Sequence, residues 1–117
     1  MRNQRNNTVY IKHISDAIHK LEQYSNEHSR EEFSQNDWDQ DAVVRNLEII
    51  GEAANNLDES FLKSHEAVPW RKIIDLRNIV AHDYADIDLS IIWNILNDYI
   101  PELKTQIQAI LEEKDIL

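Results

Sequence analysis

One glycine and two prolines in 117 residues leave this chain few means of turning sharply. Sheet-based domains separate their strands with turn residues about every 8–12 positions, and the sequence does not supply them. Scarce helix breakers, set beside many Ile, Leu, Glu, Gln and Ala, select an all-α fold. The length suits a single domain over residues 1–117, and a chain of this size buries roughly two-thirds of its unfolded surface.

Apolar periodicity divides the chain into helices. Tyr10, Ile14, Ala17, Ile18, Leu21 and Tyr24 recur at three- and four-residue steps, predicting a helix from about Thr8 to Tyr24. Ser29-Arg-Glu-Glu32 fits a capping box and opens a short turn of helix ending near Asn36. Asp37, Asp39 and Asp41 place acidic groups where a helix N-terminus favours them. The helix that follows, roughly Asp39 to Leu57, carries Val43, Leu47, Ile50, Ala54 and Leu57 within about 40° of one line. Asp58 to His65 adds two turns with Phe61 and Leu62 inward, and Ala67-Val-Pro69-Trp70 interrupts the helical run. From Trp70 one helix is expected through Ile73, Ile74, Leu76 and Val80. Asp86 or Asp88 caps a last long helix bearing Leu89, Ile92, Trp93, Leu96, Tyr99 and Ile100. Pro101 falls inside that pattern and either kinks the helix or opens a new one. The expectation is a bundle of four to five helices.

Charge narrows the classes of function. Twelve Lys and Arg face 22 Asp and Glu, a net charge of −10, which argues against a non-specific nucleic-acid coat or a polybasic membrane anchor. The absence of cysteine excludes disulfide scaffolds, Cys-type zinc sites, iron–sulfur clusters and thiol nucleophiles. No apolar run approaches the roughly 18 residues of a membrane span, and MRNQRNNTVY lacks the apolar core of a signal peptide. These features lead to the expectation of an acidic, soluble, cytoplasmic domain.

Three groups of residues carry potential chemistry. In Arg77-Asn-Ile-Val-Ala-His82-Asp-Tyr84, the guanidinium is a permanently charged fork suited to phosphate, and the imidazole exchanges protons near neutrality. The pair is a minimal kit for breaking an RNA phosphodiester, a reaction that needs no metal. On an ideal helix His82 lies about 140° from Arg77, so the two converge only if the helix ends or bends near Ala81, or if two copies meet. Otherwise they are a surface arginine and a histidine near a helix C-terminus. Arg45, Glu48 and Glu52 form a polar line opposite the apolar stripe. It is a solvated face with an Arg–Glu pair, a weak two-carboxylate cation site, or, with Gly51 beside it, an interface approached by another backbone such as a partner helix. His13, His19, His28 and His65 are scattered and are expected at the surface. Trp38, Trp70 and Trp93 are expected as core or interface anchors.

Arg45-Asn-Leu-Glu-Ile-Ile-Gly-Glu-Ala53, Pro69-Trp-Arg-Lys-Ile-Ile74 and Leu76-Arg-Asn-Ile-Val-Ala-His82-Asp-Tyr84, followed by Asp88-Leu-x-x-x-Trp93 and Pro101-Glu-Leu, resemble the HepT family in order and spacing. That family is a branch of the HEPN superfamily whose members are toxin ribonucleases of toxin–antitoxin pairs. The resemblance runs from about Asp41 to Leu111, and more loosely before it. It implies an antiparallel up-and-down helical bundle working as a homodimer, with metal-independent endoribonuclease activity in a cleft between subunits. Arg77 and His82 match the family's R-x4-H catalytic pair, Asn78 its polar neighbour, and Tyr84 the tyrosine of the extended R-x4-H-x-Y pattern. In that family a cognate minimal nucleotidyltransferase antitoxin transfers AMP from ATP onto the tyrosine, and the toxin itself needs no cofactor. Ala81 stands where a β-branched residue is more usual.

An AMP group on Tyr84 would set a phosphate and a bulky nucleoside two residues from His82, competing for Arg77 and filling the cleft. Two other readings stand beside this one. The first is a non-catalytic helical partner, or nucleotide-binding subunit, of a nucleotidyltransferase; the second is a purely structural dimerising bundle. For an RNA enzyme of charge −10, the positive potential has to be local. Two Arg77 side chains facing each other across a two-fold axis would supply it, extended by Arg71 and Lys72. RNA binding is therefore expected to weaken with salt on a shallow slope of log K against log salt, since few phosphates are neutralised. Filter binding over a salt series measures this, and a steep slope would contradict a small local focus.

Overall fold

Helix α1, Gln4–Glu27, forms the longest uninterrupted rod of the computed structural model, which describes residues 4–81 and 88–113. After it come α2 (Arg30–Ser34), α3 (Asp37–Asn55), α4 (Glu59–Ser64), α5 (Trp70–Ile74), α6 (Leu76–Ala81), α7 (Leu89–Asn94), a π-helical turn (Ile95–Tyr99) and α8 (Ile100–Glu113). The described residues are all-α, as the scarcity of turn residues requires, and their helices pack as a bundle. Four rods carry the core: α1, α3, the α5–α6 pair, and the run from α7 through α8; α2 and α4 are short braces between them.

Polar contacts between helix ends fix the directions. At one end of the bundle, Asn7 at the start of α1 bonds Asp58 just beyond α3 through both its amide nitrogen (3.2 Å) and its amide oxygen (3.1 Å). At the other end, the Tyr24 hydroxyl donates to Asp39 Oδ2 at 2.7 Å, near the start of α3. These two ties make α1 and α3 antiparallel. Lys104 of α8 reaches Glu22 of α1 at 2.7 Å. Burial and the neighbouring Asp39 carboxylate push the Tyr24 phenol far above its usual range. The sign is that of a raised group: its contribution is present below the unfolded tyrosine value and is lost as pH rises beyond it.

The predicted caps are present. Ser29 Oγ accepts from the Glu32 amide at 3.1 Å while Glu32 Oε1 accepts from the Ser29 amide at 2.8 Å, closing the box at the start of α2. Phe33, on this five-residue helix, is wholly buried and meets Trp93 with ring centroids 5.6 Å apart. Asn36 caps α3, accepting from the Asp39 amide, so the helix starts at Asp37, two residues before the expected position. Asp88 caps α7, its carboxylate accepting from the Ser90 hydroxyl at 2.6 Å and amide at 2.9 Å, bonds that hold the carboxyl below its usual range. Asp86 lies outside the described residues.

Three expectations need correction. Trp38 is 85 % exposed and joins no core; it sits about 140° from the α3 apolar stripe, because five residues separate it from Val43. Trp70 is buried, with its indole N–H on the His65 carbonyl, and Trp93 is half-buried against Phe33. His65 is not a surface residue: its ring contacts Glu113 Oε1 at 2.9 Å and the Phe61 carbonyl at 3.0 Å, tying the end of α4 to the end of α8. The single helix expected from Trp70 is two, α5 and α6, parted at Asp75. The disturbance expected at Pro101 is present: the proline is the second residue of α8 and follows a π-helical turn. It has no N–H and crowds the carbonyl four residues before it. The preceding turn is π-helical, with the Ile100 amide donating to the Ile95 carbonyl, and the helical run passes through the proline to Glu113.

Ile11, Ile14, Ile18 and Leu21 of α1 interlock with Leu47 and Ile50 of α3 and with Leu96, Ile100 and Leu103 of the last run, all at most 2 % exposed. Among the described residues no helix is long and apolar enough to cross a membrane. Two aromatic truncations test this core. Phe33→Ala should cost about 3–5 kcal/mol in urea unfolding. Trp38→Ala should change stability by less than about 0.5 kcal/mol, as at an ordinary surface position. Equal costs would contradict the placement of these two rings.

Candidate functional site

Gly51 decides where the candidate residues sit. It is buried on α3, where a glycine costs about 1 kcal/mol relative to alanine. A β-carbon there would stand 2.7 Å from the Arg77 amide nitrogen and 3.0 Å from both Arg77 Cβ and the Ile74 carbonyl oxygen. Those atoms are backbone, or fixed to it, and cannot swing aside. The close approach expected at Gly51 is thus made within the chain, by the α5–α6 junction, rather than by a partner helix. Ile73 and Leu76, both buried, flank the contact and seat the junction in the core with Ile50 and Ala54.

The same contact anchors Arg77 at the backbone while leaving its side chain half-exposed, with Asn78 exposed beside it. Among the described residues Arg77 enters no ion pair. Its guanidinium is therefore available to an anion. Arg71 and Lys72, both exposed, lie on α5, just before α6. The structure thus brings Arg71, Lys72, Arg77 and Asn78 onto one short two-helix segment. His82 and Tyr84 lie outside the described residues, which on α6 end at Ala81.

Within the single chain the polar line on α3 faces solvent. Arg45, largely exposed, and Glu48, partly buried, approach at 3.8 Å, an arrangement worth a few tenths of a kcal/mol. Glu52 is exposed one position after Gly51. Among the described residues no group of three His, Asp or Glu side chains is gathered as metal ligands would be.

One feature escaped the sequence reading. A groove of about 410 Å³ opens between the α5–α6 segment and the α7–π run. Its walls are Leu76, Ile91, Ile95 and Tyr99; its polar groups are Lys72, Asp75, Asn94 and Asp98. Ile91 is 51 % exposed there, and the Lys72 ammonium stands 5.6 Å from the Tyr99 ring centroid. Burial pushes the Tyr99 phenol up, with Glu102 adding to the shift. The available signal was Ile91, one position off the apolar stripe of its helix, followed by a proline inside an unbroken period.

A model of the family described as "Ribonuclease HepT-like" matches residues 14–110. The chain is 36 % identical over 107 residues to "Gamma-glutamylcyclotransferase and putative RNase MJ0434" of Methanocaldococcus jannaschii, covering 92 % of this chain and 48 % of that protein. It therefore spans about half the length of that relative. It is 33 % identical over 107 residues to "Probable ribonuclease HepT" of Thermococcus cleftensis, covering 92 % of this chain and 97 % of the relative. It is 36 % identical over 105 residues to "Putative RNase TTE0752" of Caldanaerobacter subterraneus subsp. tengcongensis, covering 90 % and 94 %. No solved structure matches the chain.

Gly51→Ala tests the anchoring contact. Helix propensity alone would stabilise this variant by about 1 kcal/mol. The clash with the Arg77 backbone should instead destabilise it by about 1–3 kcal/mol, as overpacking does. A higher melting temperature for Gly51→Ala would contradict the contact.

Proposed function

This chain belongs to the ribonuclease HepT-like family, and on that premise we propose that it is a metal-independent endoribonuclease, the toxin of a toxin–antitoxin pair, acting as a homodimer. The observation that carries the reading is the family match over residues 14–110, which spans the whole R-x4-H-x-Y segment. A supporting observation is the Gly51 contact, which holds the Arg77 backbone against the core and leaves the guanidinium half-exposed.

In this proposal Arg77 and His82 are the catalytic residues and Asn78 is their polar neighbour. The ribose 2′-oxygen attacks phosphorus and loses its proton, and the bond from phosphorus to the 5′-oxygen breaks. The products are a 2′,3′-cyclic phosphate and a 5′-hydroxyl. His82 takes the first proton or delivers one to the leaving oxygen. Arg77 offsets the charge that grows on the phosphoryl oxygens, and a preorganised cation does this at little cost in reorganisation. The polar line of Arg45, Glu48 and Glu52 is proposed to border the subunit interface or its cleft.

Regulation is proposed to act on Tyr84. A minimal nucleotidyltransferase partner directs the Tyr84 phenol oxygen onto the α-phosphorus of ATP; the oxygen–phosphorus bond forms, pyrophosphate leaves, and the phenol proton is released. The attached AMP brings negative charge and bulk beside His82 and Arg77. The net charge of −10 favours one other reading, a non-catalytic partner of the nucleotidyltransferase that turns over no RNA.

Cleavage of RNA with EDTA present distinguishes the two. Wild type should cut, while His82→Ala and Arg77→Ala should lose at least about 10²-fold in kcat/KM, the usual scale for a general acid–base or a charge-stabilising group. A His82→Ala protein as fast as wild type would remove the catalytic assignment. Incubation with ATP and the partner nucleotidyltransferase should add AMP mass increments to the wild type and none to Tyr84→Phe.

A further inference from the structure

We infer that the groove between α5–α6 and the α7–π run is a nucleobase subsite that takes a base carrying an exocyclic amino group from the RNA. This rests on the RNA-cleaving reading above. Four observations carry it. At about 410 Å³ the groove falls within the roughly 300–1,000 Å³ of small-molecule sites, and three aliphatic side chains with one aromatic ring make its walls. Ile91, half-exposed at the edge, is apolar surface without a cover among the described residues. The groove shares Leu76 with α6, the helix that also carries Arg77, so it lies on the same segment as the proposed catalytic arginine.

The fourth observation is charge. Lys72 is the lining cation, against the carboxylates of Asp75 and Asp98. Such a lining repels a phosphate from the interior and accepts a neutral ring, leaving Lys72 at 5.6 Å from the Tyr99 ring to meet the phosphate outside. Carboxylates only accept hydrogen bonds, so they suit the amino groups of adenine, cytosine or guanine. Uracil presents two carbonyl oxygens beside its single ring N–H, and those oxygens would face the carboxylates. The Asn94 amide offers one donor edge and one acceptor edge, which fits the ring nitrogen and amino group of adenine.

The test has a binding arm and a cleavage arm. The methyl signals of Ile91 and Ile95 in wild-type protein are followed by NMR during titration with adenosine, cytidine and uridine. Saturable shifts with adenosine and cytidine, and much weaker ones with uridine, are expected. Equal response to uridine, or none to any nucleoside, would overturn the subsite. Concentration-dependent broadening of both signals with no nucleoside response would mark the groove as a contact between copies and overturn it too. In the second arm, kcat/KM on poly(A) and poly(C) should exceed that on poly(U) about tenfold, the scale of one good polar contact to a base. Asp98→Asn and Asn94→Ala should narrow that ratio to within about threefold. A ratio unchanged in both variants would count against the subsite. If wild type binds the amino nucleosides and cleaves no RNA, the catalytic reading falls while the subsite stands.

Discussion

The approach of the α5–α6 junction to Gly51 is the contact on which the rest of the site depends. Ordinary helix pairs stand 8–10 Å apart because side chains fill the space between them. Here the absence of one methyl group lets the backbone at Ile74 and Arg77 come down onto α3. That approach seats Ile73 and Leu76 in the core and leaves the neighbouring polar positions at the surface. A glycine inside a helix is locally unfavourable, and this packing supplies the compensation. The break between α5 and α6 at Asp75 falls between the two residues, Ile74 and Arg77, that meet Gly51.

Around this contact the bundle is held by an apolar interior and by polar ties at its ends. Asn7 with Asp58, Tyr24 with Asp39, Lys104 with Glu22, and His65 with Glu113 each join elements far apart in sequence. Several of these ties are partly screened by solvent, so their individual energies are modest. Their effect is on register: each one is satisfied by a single alignment of the helices it joins. The π-helical turn before Pro101 belongs to the same logic. It keeps one continuous rod where a proline would otherwise interrupt the bonding, and it supplies Ile95, Asp98 and Tyr99 to the groove.

An acidic chain that handles RNA needs its positive charge concentrated rather than abundant. Arg71, Lys72 and Arg77 lie on one short segment, exposed or half-exposed, with Asp75 as the carboxylate between them. The groove beside that segment carries two carboxylates of its own.

Much of the architecture was legible along the chain. Helical class follows from scarce breakers, the stripes of α1 and α3 from three- and four-residue steps, and the starts of α2 and α7 from Ser29 and Asp88, since each depends on residues a few positions apart. The R-x4-H-x-Y segment was readable for the same reason, as a pattern of spacing. Tertiary packing alone decided which backbone meets Gly51, that His65 joins α8, and that Ile91, Ile95 and Tyr99 share a groove with Leu76. Those facts pair residues tens of positions apart, and periodicity within one helix carries no information about which neighbour its faces will touch.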